Sequence, residues 1–364
     1  MGRRETARRA ADRRASDSTQ AEGLGSGGTY AALDLGTNNC RLLVARPSGD
    51  GFRVVDAFSR IVRLGEGLAA SGRLSDPAMG RTLDALQICA SKIRRRGVTR
   101  VRAVATEACR RATNCDDFLD QVRRKTGIEL EIISQNEEAK LAVCGCAPLI
   151  DPDIPDILLF DIGGGSTEIC WLKVAPGRDS REGEPGELSL FAWASVPIGV
   201  ITLAERHGGS EVGPEAYEAM EAEMAEAVAA FGQRHRIAQS VAPETAQMLG
   251  TSGTVTTLAG VHQDLRRYDR TAVDGSYLDM TTVHEICRRI TGMSYAERSG
   301  HPCIGPERAD LVIAGCAILS ALCRLWPAER LRVADRGLRE GMLYAMMHGV
   351  SAPEGRWITD LDPD

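Results

Sequence analysis

The sequence predicts an α/β protein of two related halves, each a mixed sheet flanked by helices. Three observations carry this. The chain has 364 residues, too many for one ordinary core, which points to two domains. A short apolar run ending in Asp34-Leu35-Gly36 is answered later by one ending in Asp161-Ile162-Gly163. The exits repeat as well. Arg63-Leu64-Gly65 follows three strand-like runs in the first copy, and Pro197-Ile198-Gly199 follows three in the second. This pattern is an internal duplication.

Residues 1–28 carry Arg3, Arg4, Arg8, Arg9, Arg13 and Arg14 and end rich in Ser and Gly. They read as a disordered, partly basic tail, with no apolar segment of a secretory signal. Residues 30–33, 40–45 and 52–58 read as strands, the last two joined at Pro47-Ser48-Gly49-Asp50-Gly51. A helix begins after Ser75-Asp76-Pro77, runs to about Arg95 and stops at Gly97. Residues 98–105 are strand-like, 116–125 helical and 128–133 strand-like. An amphipathic helix follows over 136–149 and closes at Asp151-Pro152-Asp153-Ile154-Pro155. The boundary falls there, giving domains at 29–151 and 152–350.

The second copy restarts with strands at 157–160, 167–174 and 188–196, the last two split by a polar loop. A helix over 214–236 and a strand at 247–249 lead into Gly250-Thr251-Ser252-Gly253-Thr254 at a helix start. A helix over 308–325, a strand at 331–334 and a helix from Gly337 complete the fold, and 351–364 reads as a tail.

Composition narrows the function classes. Lys plus Arg total 44 against 50 for Asp plus Glu, a formal net charge of −6, which argues against bulk capture of nucleic acid. No apolar run is long enough to span a membrane. The eleven cysteines are scattered without a CxxC pair, and the six histidines form no HExxH. Thiols used as small apolar side chains point to a reducing, cytoplasmic setting.

The duplicated loops carry the chemistry. Glycine lets a ligand approach main-chain N–H groups closely, and successive N–H groups form an anion nest. Thr37, Asn38, Ser166 and Thr167 add side-chain donors. Asp34 and Asp161 stand at the loop bases, where a carboxylate would repel phosphate unless a cation or water intervenes. Mg²⁺, which keeps waters and needs few carboxylates, is the cation expected. The turn at Gly253 adds a helix N-terminus that favours anions. This constellation resembles the sugar-kinase, heat-shock-70 ATPase and actin superfamily. The resemblance implies two actin-like (ribonuclease H-like) domains facing across a cleft that binds a phosphate chain.

Finer motifs narrow the branch. They are Ala105-Thr106-Glu107-Ala108-Cys109-Arg110-Arg111-Ala112; Ile132 to Leu141, containing Asn136-Glu137-Glu138; Asp161 to Glu168; Arg308-Ala309-Asp310; and Gly337-Leu338-Arg339-Glu340-Gly341. Together they are similar to those of the exopolyphosphatase / guanosine pentaphosphate phosphohydrolase family, from about Tyr30 to about Gly349. The resemblance implies that Glu138 is the general base activating water, with Glu137 able to tune the site. It implies that Arg110 neutralises phosphoryl oxygens, and that Asp161 and Glu168, with Asp34 as a further candidate, hold water or Mg²⁺ (or Mn²⁺). Gly163, Gly164, Gly165, Ser166 and Thr167 would cradle one phosphate, Gly36, Thr37, Asn38 and Asn39 another, and Gly253 a further contact. Gln135 stands where glycine is common in the family, and Asn39 and Cys40 where other small or polar residues are common.

The expected activity is release of terminal phosphate from inorganic polyphosphate by a Glu-activated water. Hydrolysis of guanosine pentaphosphate is the alternative within the family, and an actin-like kinase or nucleotide sensor a more distant one. Arg266, Arg267 and Arg270, or Arg288 and Arg289, could line a local basic track, and short polyphosphates suit a chain without a global one. The chain ends soon after Gly341, so the short two-domain form is expected, which is compatible with a homodimer.

Overall fold

The computed structural model describes residues 27–49, 51–175, 187–326 and 328–349. The expected C-terminal tail, most of the N-terminal tail and the polar loop before residue 187 lie outside them. The first half runs β1 (Tyr30–Leu35), β2 (Asn39–Ser48), β3 (Gly51–Ile61), α1 (Leu68–Ser71), α2 (Asp76–Arg95), β4 (Arg100–Ala105), α3 (Glu107–Arg111), α4 (Cys115–Thr126), β5 (Glu131–Ile132) and α5 (Gln135–Cys146). The second opens with β6 (Asp156–Ile162), β7 (Thr167–Ala175), β8 (Glu187–Val196), α6 (Val200–His207), α7 (Pro214–Arg234) and α8 (Ile237–Ser240). It continues with β9 (Ala246–Thr251), α9 (Gly253–His262), α10 (Arg270–Val273), β10 (Tyr277–Asp279), α11 (Met280–Thr291) and α12 (Tyr295–Gly300). It closes with α13 (Val312–Leu325), β11 (Arg330–Ala334) and α14 (Leu338–His348).

The duplication is visible in the ladders. The first sheet is ordered β3-β2-β1-β4-β5 and the second β10-β11-β9-β6-β7-β8. With the added edge strand β10 set aside, the orders match. In each half the opening three strands pair antiparallel and the next two join in parallel. Even the β-bulge recurs, between Val44 and Ala45 in one half and Trp171 and Leu172 in the other, at the same offset from the loop aspartate.

Local chemistry explains most boundaries. Ser75 caps α2 by accepting from the Ala78 N–H, with Asp76 and Pro77 in the first turn. Ser134 caps α5 through the Glu137 N–H, and a 3-10 turn at Ala147–Leu149 ends the run expected as one helix. The strand expected over 128–133 shortens to Glu131–Ile132, because Ile128 and Leu130 turn into the core of the first half. The helix expected from 308 begins at Val312, and the turns before it free Arg308 and Asp310 to reach the cleft and the opposite half. Helices α3 and α6 are too short to show periodicity in sequence.

The halves exchange their last helices. Ala139, Val143 and Cys146 of α5 pack with Ile157, Leu159, Cys170 and Leu249 of the second sheet. Leu338, Met342, Leu343 and Met346 of α14 pack with Tyr30, Ala32, Leu43 and Val104 of the first. The division near residue 151 follows the chain, whereas the packing crosses it. The two helices meet backbone to backbone. A Cβ added at Gly145 would overlap the Gly337 carbonyl, and one at Gly341 would overlap that of Leu141. All eleven cysteines are free, and all but Cys144 are buried. Among the described residues no helix is long and apolar enough to cross a membrane.

Gly341→Ala therefore forces the crossing helices apart. We expect a stability loss of about 2–3 kcal/mol, as for an overpacked core. Chemical denaturation of the variant beside wild type measures it.

Candidate active site

The glycine loops face each other at the junction of the halves, over a cleft of about 450 Å³. Its walls include Asp34, Gly36–Asn39 and Arg41 from the first half, and Asp161, Gly163–Ser166, Glu168, Gly253 and Arg339 from the second, with Glu138 between them.

Each loop is held by its exit turn. The N–H groups of Val62 and Arg63 donate to the Asn38 carbonyl, and that of Gly65 to Thr37. In the second half Val200 and Ile201 donate to the carbonyls of Gly163 and Gly164. Glycine is needed at both exits, since a Cβ on Gly65 would overlap Thr37 and one on Gly199 would overlap the Gly164 backbone. With loop carbonyls turned back to the exits, the N–H groups of Thr37, Asn38, Gly164 and Gly165 find no partner among the described residues. The loops also touch, because a Cβ on Gly164 would lie 3.0 Å from the Asn38 nitrogen. Asn38 Oδ1 and Ser252 Oγ, both on the cleft wall, are buried without a hydrogen-bond partner in the described residues, and Ser252 holds a φ of 99°. Unpaired donors and acceptors of this kind suit a polar, anionic ligand.

Charge divides the two copies. Asp34 lies opposite Arg41 across β1–β2, and Asp161 lies opposite Glu168 at the same register across β6–β7. The first loop aspartate therefore faces a cation, and the second faces another carboxylate. Burial first, then Asp161, pushes Glu168 up to about 7 despite hydroxyls donating from Ser166 at 2.7 Å and Ser195 at 2.9 Å. Burial pushes Asp161 up to about 6, Arg41 opposing and Asp34 adding. Glu138 is raised well above its usual value by burial and by Glu168. Asp34 is raised by burial, with Arg41 opposing.

Most residues singled out in sequence converge here, but three do not. Thr167 is fully buried with its hydroxyl donating to the Ile198 carbonyl at 2.7 Å, so its side chain is corrected out of the phosphate cradle. Arg110 is off the cleft wall. It donates to Glu138 Oε2 at 2.7 Å, to the Ile133 carbonyl at 2.9 Å and to Glu107 Oε2 at 3.0 and 3.1 Å. Glu137 turns out to pair with Arg102 instead of entering the cleft. Arg41, Arg308 and Arg339 were not assigned from sequence, yet all three line the cleft. The guanidinium groups of Arg41 and Arg339 make no hydrogen bond or ion pair with a described residue. The equal spacing of Asp34–Arg41 and Asp161–Glu168 was the signal available for Arg41.

Among the described residues no three His, Cys, Asp or Glu side chains close into a preformed metal cage. Asp161 and Glu168, facing each other across β6–β7 without an ion pair to a described residue, fit a divalent cation that keeps most of its waters.

Two matched α/β halves around one glycine-lined cleft define the class, the actin-like architecture the loops implied. The chain belongs to the Ppx/GppA phosphatase family, whose model matches residues 43–350. It is 32% identical over 331 residues to exopolyphosphatase 2 of Mycobacterium tuberculosis, covering 87% of this chain and 98% of that one. It is 29% identical to a guanosine-5'-triphosphate,3'-diphosphate pyrophosphatase of Aeromonas salmonicida, covering 87% of this chain and 59% of that one. Among solved structures, an exopolyphosphatase-like protein superposes with a TM-score of 0.77 at 28% identity, covering 88% of this chain and 98% of that one. The Aquifex aeolicus family member gives 0.68 at 27%, with the same coverage.

The buried carboxyls predict a pH dependence. A carboxyl raised from 4.5 to about 7 contributes stability below the lower value that is lost as pH rises through the upper one. Glu168→Gln keeps an acceptor for both serines and removes the charge. In metal-free buffer we expect its Tm to match wild type near pH 4.5 and to exceed it by about 3 °C near pH 8, read by thermal melts across that range.

Proposed function

We propose that the protein is a Mg²⁺-dependent phosphohydrolase that releases terminal phosphate from inorganic polyphosphate. The observation that carries this is the facing pair of glycine loops, with free N–H groups and unpaired Arg41 and Arg339 above the carboxyls of Glu138, Asp161 and Glu168. The loop N–H groups and the arginines hold the phosphoryl oxygens of the terminal unit. Glu138 takes a proton from the attacking water as the water oxygen bonds to phosphorus and the bridging P–O bond breaks toward the shortened chain. Asp161 and Glu168 would hold Mg²⁺, which supplies charge neutralisation on the phosphoryl oxygens when bound. Asp34, already faced by Arg41, is not needed as a ligand in this reading.

Tyr268 favours hydrolysis of guanosine pentaphosphate as a second reading. The residue is 37% exposed and lines the cleft, with its hydroxyl donating to Asp335 at 2.7 Å, and its ring offers a flat surface on which a base could stack.

Phosphate release from polyphosphates of several lengths and from guanosine pentaphosphate, compared by kcat/KM, separates the readings. We expect short polyphosphate to be preferred, and a clear preference for the nucleotide would reject that ordering. Glu138→Ala should lower kcat by about 10³-fold while inorganic phosphate binding stays within about threefold. Survival of activity in that variant would remove Glu138 as the base.

A further inference from the structure

Glu107 has no part in the mechanism above, yet its placement is unusual for a carboxylate. It is 6% exposed and lines a cleft meant for anions. Its stem lies under the second glycine loop, where a Cβ on Gly165 would stand 3.2 Å from Glu107 Cγ. It sits three residues before Arg110 on α3, so the two side chains share a helix face.

The bonding of Arg110 gives Glu107 a task. Nε and Nη2 both donate to Glu107 Oε2, at 3.1 and 3.0 Å. Nη1 donates to the Ile133 carbonyl at 2.9 Å and to Glu138 Oε2 at 2.7 Å. A guanidinium offers five N–H donors in one fixed plane. Glu107 and the Ile133 carbonyl fix that plane from two sides, leaving the bond to Glu138 as the one that can be exchanged without moving α3. Glu107 and Glu138 stand on the cleft wall with Arg110 behind them.

We propose that Glu107 is a positioning residue that holds Arg110 while one N–H of the guanidinium passes from Glu138 to an entering phosphoryl oxygen. In the resting protein Arg110 is bonded to Oε2 of Glu138, and its charge there weakens the carboxylate as a base. A phosphoryl oxygen that takes this N–H from Glu138 shares the charge of Arg110 and leaves Glu138 the stronger base. Glu107 makes the exchange a short displacement instead of a search by a long side chain. This inference rests on the phosphohydrolase reading and concerns the same site.

The test is steady-state phosphate release, with Tm measured in parallel, for wild type, Glu107→Gln, Glu107→Ala, Arg110→Ala and the Glu107→Ala/Arg110→Ala double variant. We expect Glu107→Ala to lower kcat about a hundredfold with KM within about threefold, as for a misplaced catalytic group. Glu107→Gln keeps an acceptor and should retain kcat within about tenfold of wild type. The double variant should be no slower than Arg110→Ala alone. A kcat for Glu107→Ala within about twofold of wild type, or losses that multiply in the double variant, would overturn the proposal. If Glu107→Ala does not fold, Glu107→Gln combined with Arg110→Ala gives the same cycle. Wild type that releases phosphate from none of the substrates would overturn the phosphohydrolase reading itself, a result seen before any variant is made.

Discussion

Asp34, Asp161, Glu168 and Glu138 share one cleft, where burial raises the proton affinity of all four, Asp34 adds to Asp161 and Glu138, Asp161 to Glu168, and Glu168 to Glu138. Such a cluster is a poor host for a polyanion unless positive charge separates the two. Much of the surrounding structure answers that constraint. The exit turns draw the loop carbonyls away and leave N–H groups of the cleft-lining loops without a backbone partner. Arg41, Arg308 and Arg339 enter from three different elements. Arg110 spans Glu107 and Glu138 from behind.

The duplication sets the second loop apart from the first. Both halves use the same strand order, bulge position and loop register. They differ where Arg41 in one copy is matched by Glu168 in the other. Arg41 and Arg339 oppose the burial of both loop aspartates, and Glu168 adds a further carboxyl beside Asp161 alone. The exchanged helices α5 and α14 tie the copies together, and close contact at Gly145 and Gly341 fixes how they cross. The chelating grip of Arg63 on Asp310, at 2.7 and 2.8 Å, holds the halves together away from the helices.

Much of this was legible in sequence because duplicated motifs keep their spacing. The loops, their exits and the loop aspartates Asp34 and Asp161 could be read from short local patterns, whereas Glu138 and Glu168 were singled out by the family resemblance. What escaped depends on long-range packing. Nothing local distinguishes Glu137, which pairs with Arg102, from Glu138, which enters the cleft. Thr167 continues the loop motif, but strand alternation turns it into the core. Arg110 belongs to the expected motif, and only tertiary contacts reveal that its donors are already engaged. The run from residue 263 to 300 was left unread, although α11 within it buries Val283, Ile286, Cys287 and Ile290 at helical spacing; only the short helices and three-residue strand around it are too brief for periodicity to register.

We propose that the divalent cation sits in the second copy, where Asp161 and Glu168 face each other, and not at Asp34, which lies opposite Arg41. Calorimetric titration of Mg²⁺ in the presence of inorganic phosphate tests this directly on wild type, Asp34→Asn and Glu168→Gln. We expect Glu168→Gln to weaken Mg²⁺ binding about tenfold or more, while Asp34→Asn stays within about threefold of wild type. Equal weakening by both substitutions, or no weakening by Glu168→Gln, would contradict it.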